Sequence, residues 1–373
     1  MPELIDAQTV TLSEESAKVV APSLTVEEAL ERVGKVELRD DGQPILAPCK
    51  HNKIECPPPG IYTTYTMEEY HSIDAYNAST GKAFLKSGEH GKAYLSEKQN
   101  PPSNDMLIGT AGHSRVMEPD DYKERAELGF GSGGKPLAAG CSWTTHKACQ
   151  DKNPDKIILH VGWEERIEQM HTAIMNHNDG KHLFADPNML REVSLIWHEP
   201  YEIAGRKMMI PCKARLDLFS PLGQCIPDLK VTVDASPRIF MSNSYKFGYH
   251  QSGGLYKQGS WRCGLLRKRA DGTLPPQPYL MMGVESKPIT EHSKVHLAAL
   301  YVYTDADLDQ GFNDLMEIGM DRYLKYRIAE FVEGPMYHDG QREVRWTKEI
   351  MPASVPDWAK SIEQPKFLIG AES

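Results

Sequence analysis

The chain has 373 residues, 40% hydrophobic and 25% charged, the composition of a soluble globular protein with one large or two ordinary domains. Its net charge of −10 excludes a global basic excess, so contact with a polyanion must come from a local patch. No run of about 18 apolar residues is present to span a membrane, and the acidic start MPELIDAQTVTLSEESAKVV lacks a signal-peptide pattern, so a cytoplasmic protein with no membrane partner is expected.

The seven cysteines, at 49, 56, 141, 149, 212, 225 and 263, form no C-x-x-C pair and no close group of three. A zinc ribbon and a four-cysteine iron–sulfur staple are therefore not expected; reduced structural thiols are.

Residues 1–59 read as an extension. They hold one short predicted helix over 25–33, with Thr25 as cap and Glu27 and Glu28 in its first turn. The extension is either a flexible arm or a packing element. The sequence CPPPG at 56–60 is a hinge, and the main domain is expected over 60–373. Ser79 caps a predicted helix over 80–87. A second, over 105–118 (DMLIGTAGHSRVME), offers Met106, Gly109, Ala111 and Val116 for packing, and its small residues admit a close neighbour. His113 on it is either a hydrogen-bonded, semi-buried histidine or a metal ligand. Helices follow over 143–150 and 163–177, the latter with Ile167, Met170 and Ile174 at helical spacing. Residues 192–197 read as a strand. Glu192 at its start is either a solvated strand end or an acid at a cleft.

Residues 207–230, KMMIPCKARLDLFSPLGQCIPDLK, carry the most chemistry. Two strands, 208–219 and 224–233, are predicted, joined as a hairpin by the turn Ser220-Pro221-Leu222-Gly223. Strand residues two apart share a face, so Asp228 and Lys230 point one way and Leu229 the other, into a core. If the hairpin closes, Asp217 approaches Asp228. Two carboxylates and an ammonium at one place are either a surface ion pair or a site for a hard divalent cation. In the second case the metal stabilises charge on phosphorus and the lysine holds the attacking water, which is the logic of phosphodiester hydrolysis.

Residues 235–270 then carry Arg238, Lys246, Lys257, Arg262, Arg267, Lys268 and Arg269 and no acid. This local inversion of charge is either a phosphate-binding patch or a solvated helix face with a turn at 267–272. Strands are predicted over 278–287, with Glu285 as a sheet-edge charge, and over 295–304. A long amphipathic helix is predicted over 305–327, with Asp305 as cap and Leu308, Phe312, Leu315, Ile318 and Leu324 as its buried stripe. Trp346 and Pro356-Asp357-Trp358-Ala359 lie in the tail.

Four motifs in this order carry a resemblance that runs from about Gly60 to Ala359. They are GTAGHSRVMEP at 109–119, the 207–230 stretch with Asp217 and Asp228-Leu229-Lys230, Tyr249-His250 through Tyr256, and Pro356-Asp357-Trp358-Ala359. Together they resemble the exonuclease VIII (RecE) type of phage and prophage recombination nucleases, within the PD-(D/E)xK superfamily. The resemblance implies an α/β fold, a mixed central β-sheet flanked by helices in a restriction-endonuclease-like core.

It also implies roles. His113, Asp217 and Asp228 match metal ligands for Mg²⁺ (or Mn²⁺), with the Leu229 carbonyl a fourth. Lys230 matches the catalytic lysine, Glu192 an acid preceding the hairpin, and Tyr256 a tyrosine on the helix after the site. Where the family has glutamine four residues before that tyrosine, this chain has Ser252, with Gln251 one place earlier, and Gly253-Gly254 weaken the helix. This departure bears on DNA positioning, for which Arg238, Lys246 and Lys257 are further candidates. The implied activity is 5′→3′ digestion of linear duplex DNA ends, by a ring-like homo-oligomer, alongside a single-strand annealing protein. Two other readings share the fold: an inactive DNA-binding recombination component and a restriction-like endonuclease.

Overall fold

A computed structural model of the chain describes residues 38–40, 42–43, 56–96, 101–203, 205–276, 278–290 and 294–333. The predicted helix over 25–33, Trp346 and residues 356–359 lie outside these. The order begins β1 (Gly60–Tyr62), α1 (Met67–Ser72), α2 (Ala78–Lys86), α3 (Gly88–Ser96), α4 (Asn104–Met117), α5 (Pro119–Arg125), β2 (Ala126–Leu128). It continues with α6 (Trp143–Gln150), β3 (Ile157–Leu159), α7 (Trp163–Asn176), α8 (Asn178–Phe184), β4 (Leu190–Ile203), β5 (Arg206–Phe219), β6 (Ile226–Thr232). Then come α9 (Pro237–Lys246), α10 (Tyr249–Arg262), β7 (Tyr279–Glu285), β8 (Ala298–Val302), α11 (Asp305–Asn313), a π-helical turn (Asp314–Met320) and α12 (Asp321–Glu333).

The expected α/β class with mixed strand directions is observed. β4 pairs antiparallel with β1 and β5, β6 pairs parallel with β7, and β7 pairs antiparallel with β8. Period-two alternation splits the β6–β7 residues between two cores. Ile226, Tyr279 and Met281 join Phe240 of α9 and Leu255 of α10. Leu229, Met282 and Val284 face the other way and join Ile108 of α4 and Ile167 and Met170 of α7. The sheet is thus covered on both faces, which suits its apolar strands.

The predicted hairpin is corrected. Both of its strands form, but they do not pair as a ladder. The long hairpin is β4–β5, closed by Gly205 with φ +74. Among the described residues one bridge joins the residue after β5 to the residue before β6, Ser220↔Cys225, where the Ser220 N–H donates to Cys225 O at 2.8 Å. The cause is Pro227. The Ile226 N–H points to the β7 side, onto Pro278 O, so alternation aims position 227 at β5, where proline has no donor. One residue pair later the Leu229 N–H finds the Asp217 side chain instead, at 2.9 Å. The strand therefore meets β5 through a carboxylate rather than a backbone ladder.

Several helix ends also differ from the reading. α2 starts two residues earlier than a Ser79 cap would allow, with Asn77 accepting the Thr80 N–H. α11 is capped by Thr304 in a reciprocal box with Asp307, not by Asp305. The helix predicted over 305–327 is interrupted by the π turn. The wider turn rotates the stripe, so Leu308, Leu315 and Leu324 stay buried while Ile318 is 44% exposed and Met316 and Met320 take its place. Leu315 O accepts the Tyr76 hydroxyl at 2.7 Å across this turn. Glu285 is no edge charge: it is buried and accepts the Ala235 N–H at 3.0 Å. From the extension, Gly42 O accepts the Met209 N–H at 2.9 Å.

Candidate active site

Three elements bring the first group of side chains together. On α4, a Cβ at Gly112 would lie 2.7 Å from Met170 Cε, so the helix rests directly on α7. Gly109 of the same helix lies over Val231 of β6, and His113 follows at the strand ends. On β4 and β5 the register pairs Arg191 with Leu218 and Val193 with Leu216, which sets Glu192 opposite Asp217. Glu192 has φ +52, a strained value for a residue with a Cβ.

His113 stands between the two acids. Its Nε2 is 3.1 Å from Asp217 Oδ2 and its Nδ1 is 3.6 Å from Glu192 Oε1. Arg215, two residues before Asp217 and so on the same strand face, donates from Nε to Glu192 Oε2 at 2.7 Å. Burial alone would lower the His113 pKa, but Asp217 and Glu192 outweigh it and raise it to about 9. Burial also works against the Asp217 carboxylate, and His113, Lys230 and the Leu229 N–H hold it below the usual range. Glu192 moves up, through burial first and then Asp217.

The second group adjoins the first, and Asp217 acts on both of its charged members. Asp228 is 1% exposed, accepts the Tyr279 hydroxyl at 3.0 Å and is in contact with the Lys230 ammonium. Lys230 also lies 5.2 Å from the centre of the Tyr249 ring. Burial pushes the Asp228 carboxyl up, against the pull of Lys230. Burial disfavours the Lys230 ammonium, yet Asp228 and Asp217 raise its pKa above the usual lysine range. Lys230 is therefore a cation that donates, and not a base, at any ordinary pH.

The donor set fits a hard or borderline divalent ion. Ligand atoms of His113, Glu192 and Asp217 lie within 4.8 Å of one another. This differs from the expected set of His113, Asp217 and Asp228. The structure gathers Glu192 with the imidazole and leaves Asp228 with Lys230 and Tyr279. The Leu229 carbonyl shares a strand edge with its N–H, which meets Asp217, so it stays on the side of the acids. A divalent ion needs the imidazole neutral, while His113 holds its proton up to about 9. Mn²⁺ binding near neutral pH should therefore release a proton and tighten about tenfold per pH unit until His113 titrates. Calorimetry in two buffers of different ionisation enthalpy measures this, and His113→Ala should abolish the release.

The remaining predicted residues are dispersed around these groups. Tyr256 packs edge-on to Tyr279, ring centres 6.1 Å apart, and so borders Asp228. Ser252 accepts from the Lys82 ammonium at 3.0 Å. Gln251 lies in the first turn of α10, its side chain against Gly248. Arg238 and Lys246 are exposed, whereas Lys257 is buried against Asp305 and Asp309, at 3.2 and 2.8 Å. Arg262 likewise pairs with Glu199. The reading missed Lys82, Arg215 and Tyr279. Arg215 was legible, as a cation two residues from Asp217. Lys82, whose pKa is lowered to about 8 by burial and then by Lys230, gave no signal within its helix.

An antiparallel pair feeding a parallel strand, with acids at the strand ends and a lysine two residues after an aspartate, defines a PD-(D/E)xK-like core. Residues 77–265 match a family described as a PDDEXK-like domain of unknown function (DUF3799), and the chain belongs to that family. No curated protein matches the chain. Among solved structures, one from Eubacterium rectale named "Putative exonuclease" is similar at 15% identity and a TM-score of 0.44, covering 81% of this chain and 100% of its own. Among the described residues no helix is long and apolar enough to cross a membrane.

Proposed function

We propose that this chain is a metal-dependent DNA phosphodiesterase of the exonuclease VIII (RecE) type, acting on linear duplex ends. The observation that carries this reading is the His113–Glu192–Asp217 group set beside a half-buried, acid-paired lysine. His113, Glu192 and Asp217 would hold Mg²⁺ or Mn²⁺, which when bound supplies positive charge at a phosphoryl oxygen. Lys230, kept protonated by Asp228 and Asp217, donates to the attacking water or to a non-bridging oxygen. Asp228 and Tyr279 hold the lysine in place. Arg215 offsets the repulsion between Glu192 and Asp217, so both acids remain together before any cation arrives.

The test is an incubation of linear and closed circular duplex with Mg²⁺ or with EDTA, sized on a gel. Progressive shortening of the linear form alone, lost in EDTA, is expected. Cutting of the circle would turn the reading to a restriction-like endonuclease. Binding without release of nucleotide in Mg²⁺ or Mn²⁺ would turn it to an inactive DNA-binding component. The family resemblance further supports 5′→3′ polarity, a ring-like homo-oligomer and an annealing partner. End-labelled substrates and light scattering check the first two.

A further inference from the structure

The corner between α9 and α10 carries a surface that the hydrolytic reading leaves unused. Gly248, with φ +64, lets the backbone turn there. A Cβ on it would lie 2.2 Å from Gln251 Oε1 and 2.8 Å from Lys82 Cδ, so the corner is packed onto the lysine beneath it. The Lys82 ammonium donates to Phe247 O at 3.2 Å and ties the corner down. On the outer side Tyr245 and Phe247 are 50% and 52% exposed. They are held in place: Tyr245 lies parallel to His250 at 5.0 Å and 4°, and Phe247 lies 6.0 Å from the Tyr249 ring. Tyr249 in turn sits against Lys230. A row of rings therefore runs from the candidate catalytic lysine out to solvent.

Cations interleave with this row. Lys246 lies 5.8 Å from the Phe247 ring centre, and Arg238, seven residues before Tyr245, shares its helix face. No acid occurs in residues 235–270 of a chain whose net charge is −10. Rigid exposed rings with interleaved cations match unpaired nucleotides, because every base offers a π-face and every phosphate a negative charge. Away from its ends a duplex shows only base edges, in its grooves, and would leave the rings unused. A two-fold contact of this corner with its own copy is disfavoured by the like charges of Arg238 and Lys246 that it would bring together.

We propose that the Tyr245–Phe247 corner binds single-stranded DNA leaving the candidate active site, stacking one or two unpaired bases while Lys246 and Arg238 meet the phosphates. The proposal rests on the nuclease reading for where the strand comes from, but not for the binding. Fluorescence anisotropy of labelled oligo-dT with the full chain in EDTA tests it without turnover, with blunt duplex as the comparison. The double variant Tyr245→Ala/Phe247→Ala should weaken oligo-dT at least tenfold and duplex less than threefold, by the scale of about 1–3 kcal/mol per stacked base. Phe247→Tyr should restore most of the affinity lost in Phe247→Ala. Lys246→Ala should lower the salt slope for oligo-dT by about 0.7.

Unchanged oligo-dT affinity in a folded double variant would overturn the proposal, as would absence of binding by the native chain. A double variant that loses self-association while keeping oligo-dT affinity would identify a contact between copies instead, and also overturns it. Should that variant not fold, Lys246→Glu on the exposed helix decides, since unchanged affinity after charge reversal sinks the idea. If the corner behaves as proposed but the native chain cleaves nothing, the strand site stands and the nuclease reading falls.

Discussion

Lys230→Ala is expected to lower the hydrolysis of linear duplex roughly 10²- to 10³-fold, the usual cost of removing one preorganised donor from a charged transition state. Lys230 is the ammonium that contacts Asp228, and its charge acts on Asp217 as well. The substitution has a second consequence that must be separated from the first. It leaves the carboxylate of Asp228 buried with only the Tyr279 hydroxyl, and breaking a buried pair from one side typically costs about 3–5 kcal/mol. Thermal unfolding should show this loss, and the double variant Lys230→Met/Asp228→Asn should recover much of it by removing both charges. Activity should not recover. A single-turnover assay on protein confirmed as folded makes the separation. Native-like cleavage by Lys230→Ala would exclude this lysine from the chemistry, and with it the proposed roles of its neighbours.

Gly254→Ala is the second large effect, and its sign decides between two views of one residue. Taken as an isolated helix position, replacing glycine should stabilise α10 by about 1 kcal/mol. The structure predicts the reverse. A Cβ at Gly254 would fall 2.2 Å from Leu308 O and 2.8 Å from Phe312 N, both backbone atoms of α11. Gly311 answers from the other helix, since a Cβ there would fall 2.6 Å from His250 O. The two helices touch backbone to backbone, and neither surface has a flexible side chain that can give way. Overpacking of this kind costs typically 1–3 kcal/mol, about 2 kcal/mol being expected here. Urea unfolding of native and Gly254→Ala protein measures it. Because α10 carries Tyr249 and Tyr256, a shift of the helix should also lower activity. A rise in stability would show that α11 does not press on this glycine.

Much of this was readable beforehand because it depends on neighbours in the chain. The helices carrying His113 and Ile167 follow from apolar spacing. The opposite facing of Leu229 against Asp228 and Lys230 follows from the two-residue period of a strand, and Leu229 is indeed buried with α4 and α7. The unused warning was Pro227: a proline inside a supposed hairpin strand marks an edge without a donor, and that edge is where β5 and β6 part.

The sequence alone determined the local facing of Asp228 and Lys230, because strand alternation is a property of adjacent residues, and its motif order carried, as a resemblance, the mixed α/β class and the stretch that would hold the acids. Only the tertiary structure decided which acid joins His113 and Asp217, placing Glu192 there through the β4–β5 register and leaving Asp228 to Lys230 and Tyr279. It likewise decided that Lys257 neutralises Asp305 and Asp309, that Lys82 comes up beneath the α9–α10 corner, and that Gly254 is a contact rather than a weakness. Each of these is set by elements far apart in the chain, and charge or size at one position says nothing of what a distant backbone will bring against it.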